Sequence, residues 1–373
     1  MALAHGPAKG HSVGLAGVVR DIARTPLFWL LIFVPIVLLG EHIWPEAHTL
    51  LFLLSVLAIV PLAALLSRAT ESVAHRTGDA IGGLLNAWLG NLTEMVIAIT
   101  ALLAGQYTLV KASIAGAIVA NSLFMLGGSF LLGGMKHHDQ EFNRTSARFQ
   151  SVLLFLAAVA LLVPSAIDSP DRPEGAALVQ DLSLALAVLL LAAYGFGLLF
   201  SLKTHKKQFE SVAQHDDEEP TWPVGASIVT LVLVTVLVAL VSEIFVSSTQ
   251  VAAEELGMTP AFVGFVVVAL VGAAAEMVTA FSAARKNRLD LSVGIALGSA
   301  AQIALFVAPV MVLLSYFIGP HPMDLLFWPG AVFMVFIATL SAIVVTNGGR
   351  SAWFLGFVLL VVYAIFATTL FLL

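Results

Sequence analysis

Long apolar runs separated by short polar breaks set the rhythm of this chain from about residue 26 to its end. Runs long enough to cross a membrane cover 26–41, 48–67, 80–104, 112–134, 149–167, 178–202, 224–246, 261–284, 291–317, 324–345 and 351–373. None alternates apolar and polar residues as a membrane barrel strand does, so each predicts a helix. The pattern therefore predicts an all-α integral membrane protein with about eleven transmembrane helices. Residues 1–25 read as a mildly basic leader ahead of a retained first span.

The pattern also repeats. Displaced by 182 residues, positions 82–124 match 264–306 at twelve of forty-three places, including Gly82/Gly264, Gly90/Gly272, Glu94/Glu276, Met95/Met277 and Gly116/Gly298. Apolar composition alone yields some coincidences, but not two glycines and a glutamate at one spacing. The third and eighth spans carry the copies, an odd number of crossings apart, so the copies run in opposite directions. The architecture is one extra helix (26–41) and two inverted five-helix repeats. The first half is 48–202, with its repeat at 78–128, and the second is 224–373, with its repeat at 260–310. Inverted repeats place substrate and coupling-ion sites near the midplane, where the halves meet.

Composition and charge narrow the class. Hydrophobic residues make up 60% of the chain and charged ones 11%, which excludes a soluble globular protein. No cysteine is present, so disulfides, thiolate metal sites and thiol nucleophiles are excluded. With the N-terminus in the cytoplasm, fifteen Lys and Arg residues fall on inside segments, and only Lys111 and Arg172 fall outside. The linker at 203–223 carries Asp216, Asp217, Glu218 and Glu219 and faces the cytoplasm, either as a solvated connection or as a cation-collecting patch. No zinc motif, mid-span histidine or phosphate-binding loop is visible, so an intramembrane hydrolase and an ATP-driven pump are disfavoured. A channel would place its symmetry between subunits, whereas here it lies within one chain. A secondary transporter, not an enzyme, fits best.

Glu94 and Glu276 carry the candidate chemistry. Ionisable residues deep in membrane spans are costly and mark ion pathways. Equal depth from opposite ends brings the two carboxylates together, where burial and mutual repulsion disfavour two bare charges. One hard divalent cation with oxygen ligands, or two protons, neutralises the pair, and competition between them is a mechanism for exchange. Gly90 and Gly272, four residues earlier, favour a break that frees carbonyls, or close helix packing. Asn86, Asn91, Asn121 and Gln302 either orient the carboxylates and offer oxygens or bond neighbouring helices. Glu71, Glu243, Glu254 and Glu255 flank the helices as a proton path, a gate or interfacial charges. Trp29, Trp44, Trp222, Trp328 and Trp353 sit near span ends, as interfacial anchors do.

The run from Gly82 through Asn86 to Gly90-Asn91-Leu92-Thr93-Glu94, with Lys111-Ala112-Ser113, Gly116, Asn121 and Gly127, resembles the first α-repeat of the calcium/proton exchangers of the cation/calcium exchanger superfamily. Gly272 to Glu276, Lys286-Asn287, Asp290-Leu291 and Gly298-Ser299-Ala300-Ala301-Gln302 resemble the second, and Ala69-Thr70-Glu71 and Ser242-Glu243 resemble motifs outside the repeats. The resemblance implies export of cytosolic Ca2+ against H+ by alternating access. Glu94 and Glu276 would ligate Ca2+ and take up protons, with Asn91, Asn121 and Gln302 in support. Ala273 departs from the motif, which has asparagine after the glycine. The alternative is a Na+/Ca2+ exchanger or a broader cation/H+ exchanger taking Mn2+, Na+ or K+; Ala275 opposite Thr93 argues against several Na+ sites. No cofactor is implied beyond the transported Ca2+ and H+. The partners are the lipid bilayer and the transported cations, with no nucleic acid and no specified oligomeric state. The expected location is a bacterial inner (plasma) membrane, N-terminus cytoplasmic and C-terminus outside, or a vacuolar membrane for a eukaryotic chain.

Overall fold

The computed structural model describes residues 22–77, 85, 88–165, 167, 173–205, 208 and 222–373. Most of the leader, Asn86 and the acidic cluster Asp216–Glu219 lie outside the described residues. The helices are α1 (Pro26–Ile43), α2 (His48–Arg76), α3 (Leu92–Leu103), α4 (Tyr107–His137), α5 (Arg144–Ser165), α6 (Glu174–Thr204), α7 (Val224–Glu255), α8 (Pro260–Gly272), α9 (Ala274–Arg285), α10 (Leu289–Leu314), α11 (Pro329–Thr346) and α12 (Trp353–Leu372). Among the described residues nine helices are long and apolar enough to cross a membrane. A tenth crossing is the pair α8–α9, bent by 58° at Ala273. α3 lies within the third predicted span, of which 80–84 and 86–87 are outside the described residues. Two three-residue strands, β1 (Asp139–Glu141) and β2 (Arg350–Ala352), pair antiparallel outside the helices, with Gln140 opposite Ser351. The fold is otherwise all-α, as expected.

The inverted repeat is visible in the backbone. α3 starts directly after the turn at Gly90-Asn91, and α9 starts after the break at Gly272-Ala273, so each glutamate lies in the first turn of a half-helix. α4 and α10 each contain a π-helical turn, Ala120–Met125 and Ile303–Val307, at corresponding places in the two copies. Such turns concentrate at functional sites because they re-aim the side chains that follow. The matched glycines permit close crossings. A Cβ on Gly116 would lie 2.1 Å from the Phe265 carbonyl oxygen, and one on Gly264 would lie 2.6 Å from Ala112 Cβ. α4 and α8 therefore touch backbone to backbone, the packing that small residues allow in a membrane.

Loop contacts sort the molecule into two ends. At one, Lys136 Nζ and His137 Nε2 reach the Arg285 carbonyl, both at 3.0 Å, and Gln140 Nε2 donates to Ala284 O and Asn287 Oδ1. Arg144 bonds Asn347, and Arg350 pairs with Glu141. At the other end Lys111 Nζ pairs with Asp324 at 2.6 Å and donates to Leu326 O, while the Tyr107 and His321 rings stack. The first group comprises segments expected inside and the second comprises segments expected outside. This alternation is what eleven crossings require. Lys136, Arg144, Arg285 and Arg350 make the first the basic end.

Three expectations change. The second and seventh spans extend to Arg76 and Glu255, so Glu71 lies within α2, and Glu243, Glu254 and Glu255 lie within α7 and do not flank it. The span expected from 324 begins at Pro329, because 324–328 is a loop whose Leu325 and Phe327 are buried against the bundle, held by Leu325 N donating to Ser183 Oγ. Trp222 is buried at 3% exposure, whereas Trp29, Trp44 and Trp353 are exposed as anchors should be.

Candidate functional site

Breaks at Gly90-Asn91 and Gly272-Ala273 carry Glu94 and Glu276 into the same region of the bundle. Gly272 is the point of contact: a Cβ there would lie 2.9 Å from Glu94 Cγ and 3.3 Å from both Cδ and Oε1. One half's glutamate thus rests on the other half's glycine. Glu94 and Glu71 both lie within electrostatic reach of Glu276. At the breaks, Asn91 O accepts from Met95 N (3.0 Å) and Ala273 O from Met277 N (2.9 Å). Gly272 here serves close approach.

Amides complete the site. Asn91 Nδ2 donates to Gln302 Oε1 at 2.5 Å, and Ser299 Oγ donates to Asn91 Oδ1 at 3.1 Å. Asn121 Nδ2 reaches the same Ser299 Oγ at 2.9 Å, and Ser299 lies within reach of Glu276. Asn91 and Asn121 are fully buried, and Ser299 is buried. A buried amide network of this kind fixes orientation because each missing partner is costly. Among the described residues, three enclosed oxygens of the site have no hydrogen-bond partner: Glu94 Oε1, Glu276 Oε2 and Asn121 Oδ1. Buried polar atoms are normally satisfied, so orphaned acceptors around two carboxylates suit a hard cation or added protons.

Of the residues singled out by sequence, Glu94, Glu276, Gly272, Asn91, Asn121 and Gln302 converge here. Gly90 forms the turn before α3. Ser299 was visible only inside the second repeat motif, yet it is the hub of the network. Its place directly after the matched Gly298 was the available signal. Glu254 and Glu255 lie in the last turn of α7, with Thr49 Oγ1 donating to Glu255, away from this network. Glu71 accepts from Ser67 Oγ (3.2 Å) and is exposed, as is Glu243. From Glu276 toward the basic end α9 exposes Thr279, Ser282 and Arg285 at helical spacing. From Glu94 toward the opposite end Ile97, Ala98, Ala101 and Leu102 are buried.

Known proteins resemble this chain in sequence and fold. The profile of the sodium/calcium exchanger protein family matches residues 47–203 and 226–372. A Ca2+/H+ antiporter of Aphanothece halophytica is 40% identical over 363 residues, covering 93% of this chain and 96% of the relative. A Ca2+/H+ antiporter of Bacillus subtilis is 38% identical over 354 residues, covering 93% and 99%. The structure of native YfkE superposes with a TM-score of 0.81 at 36% identity, covering 93% of this chain and all of that one. The H+/Ca2+ exchanger CAX shares the fold, with a TM-score of 0.71 at 15% identity over 93% of this chain and 91% of that one.

Proposed function

Because the chain belongs to the sodium/calcium exchanger protein family, on its calcium/proton exchanger branch, we infer that it is a secondary antiporter moving Ca2+ out of the cytoplasm in exchange for H+. The observation that carries this reading is the pair of glutamates from inverted half-helices, each keeping an enclosed oxygen without a partner among the described residues. A bound divalent cation or two protons supplies the missing neutralisation, and the site cannot hold both at full occupancy. Alternation between these states couples the two fluxes.

Glu94 and Glu276 are the shared ligands. Asn91, Asn121, Ser299 and Gln302 hold their surroundings in register, and Gly272 lets Glu94 close onto the site. The positive charges put the basic end in the cytoplasm, with a plasma membrane as the setting. The polar face of α9, with Glu71 and Glu243, then forms the cytoplasmic approach, and the buried residues of α3 seal the outer side. This difference between the two sides supports entry of the ion from the cytoplasm. Release outside requires α3 and the loop at 315–328 to part, because Gly319 packs against Leu102 O and Tyr107 OH.

Purified protein in vesicles tests the reading. An imposed pH gradient is expected to drive Ca2+ uptake and a Na+ gradient is not. Uptake driven by Na+ but indifferent to pH would replace this reading with Na+/Ca2+ exchange.

A further inference from the structure

The two π-helical turns carry a matched set of aromatic contacts that lies outside the ion site. Phe124 in the first turn and Phe306 in the second are counterparts, 182 residues apart. Each packs against a tyrosine on the last helix of the opposite half. Phe124 meets Tyr363 of α12 with ring centroids 5.3 Å apart, and Phe306 meets Tyr194 of α6 at 5.7 Å. Both tyrosines are buried, and neither hydroxyl has a hydrogen-bond partner among the described residues, so each acts here as a ring. Each phenylalanine also meets a third ring, on the segment that carries the other half's glutamate. Phe306 meets Trp88 at 5.7 Å, six residues before Glu94, and Phe124 meets Phe281 at 6.3 Å, five residues after Glu276. All four contacts therefore join one half to the other. Trp88 and Asn91, three residues apart, meet Phe306 and Gln302, four residues apart, so the turn before α3 is attached to one face of α10 at two points.

Strict inversion would place the third rings on opposite sides of the site. It does not. α3 runs away from the basic end and α9 runs toward it, ending at Arg285, so Trp88 and Phe281 both stand on the basic-end side of their glutamates. Their own counterparts are aliphatic, Leu270 for Trp88 and Ile99 for Phe281, and both lie on the far side. Inverted copies that exchange conformations reverse the side on which the site opens. An aromatic pair is worth about two- to tenfold in an equilibrium constant beyond the area it buries. We propose that Trp88 and Phe281 are positioning residues: by gripping Phe306 and Phe124 they bias the antiporter toward the cytoplasm-facing arrangement, which the reverse arrangement, with Leu270 and Ile99 in their places, cannot match. This inference rests on the exchange reading above.

Ca2+ uptake into inside-out and right-side-out membrane vesicles tests it, because each vesicle gives the apparent KM of one face. Trp88→Leu and Phe281→Ile give each residue the side chain of its counterpart. Apparent affinity on each face follows the fraction of chains open to it, so the ratio of cytoplasmic to external KM is expected to rise about two- to tenfold in each variant. Trp88→Phe keeps a ring and is expected to hold the wild-type ratio. Trp88 is 58% exposed, so Trp88→Leu carries the test where Phe281→Ile does not fold. In folded, transporting Trp88→Leu, a ratio that is unchanged or lowered, whether both KM values stay or move together, overturns this inference alone. An equal rise in Trp88→Phe overturns it as well. A wild-type protein without pH-driven Ca2+ uptake overturns the exchange reading and this inference with it.

Discussion

Gly272→Ala is the substitution whose effect the structure specifies most closely. The new Cβ would stand 2.9 Å from Glu94 Cγ, where ordinary van der Waals contact begins near 3.4 Å. The Glu94 arm, α8 or both must give by the difference, about 0.5 Å. Glu94 Oε1 is already enclosed, so the arm has little space to retreat into. Overpacking of this kind costs about 1–3 kcal/mol. If the strain falls on the carboxylate that binds the ion, the apparent Ca2+ affinity drops by about 5- to 150-fold. The assay is Ca2+ uptake into proteoliposomes over a range of Ca2+ concentrations, with thermal stability in detergent measured in parallel. The expected result is a raised KM in a protein that still folds. A folded Gly272→Ala with wild-type KM and rate would refute the contact between Glu94 and Gly272 as a functional one.

Other substitutions probe the surrounding structure. Asn91→Ala strips partners from both Gln302 and Ser299 and is expected to cost about 1–3 kcal/mol of stability, read as a lower Tm together with slowed Ca2+ uptake. Gly356→Ala drives a Cβ to 2.4 Å from the Gly127 carbonyl oxygen and should abolish folding, whereas Gly225→Ala meets open space and should leave expression and Tm unchanged. Glu141→Gln breaks an ion pair whose side chains are 75% and 72% exposed, so Tm is expected to move by less than the equivalent of about 0.5 kcal/mol.

Much of this was legible before any coordinates. The apolar runs mark the helices because backbone groups in a bilayer must be satisfied within the segment, and the 182-residue displacement marks the two glutamates. The strand ribbon at Asp139–Glu141 and Arg350–Ala352 was not legible, because three residues of pairing leave no periodic trace. The loop at 324–328 was misread as helix for a physical reason: it is apolar because it is buried, and hydropathy does not distinguish the two. The role of Ser299 is not legible in sequence, because it comes from neighbours on other helices, Asn91 and Asn121, that no local spacing reveals. Glu71 and Glu243 were placed at helix ends because their polarity mimics a boundary, yet both helices continue past them.

The central claim is that Glu94 and Glu276 form one site at which Ca2+ and protons replace each other. Its most direct test is the simultaneous recording of Ca2+ uptake and H+ release in proteoliposomes carrying wild type, Glu94→Gln or Glu276→Gln. The account predicts coupled fluxes in the wild type and loss of both fluxes together in either variant, with the protein still folded and inserted. Coupled exchange persisting in both variants would contradict it.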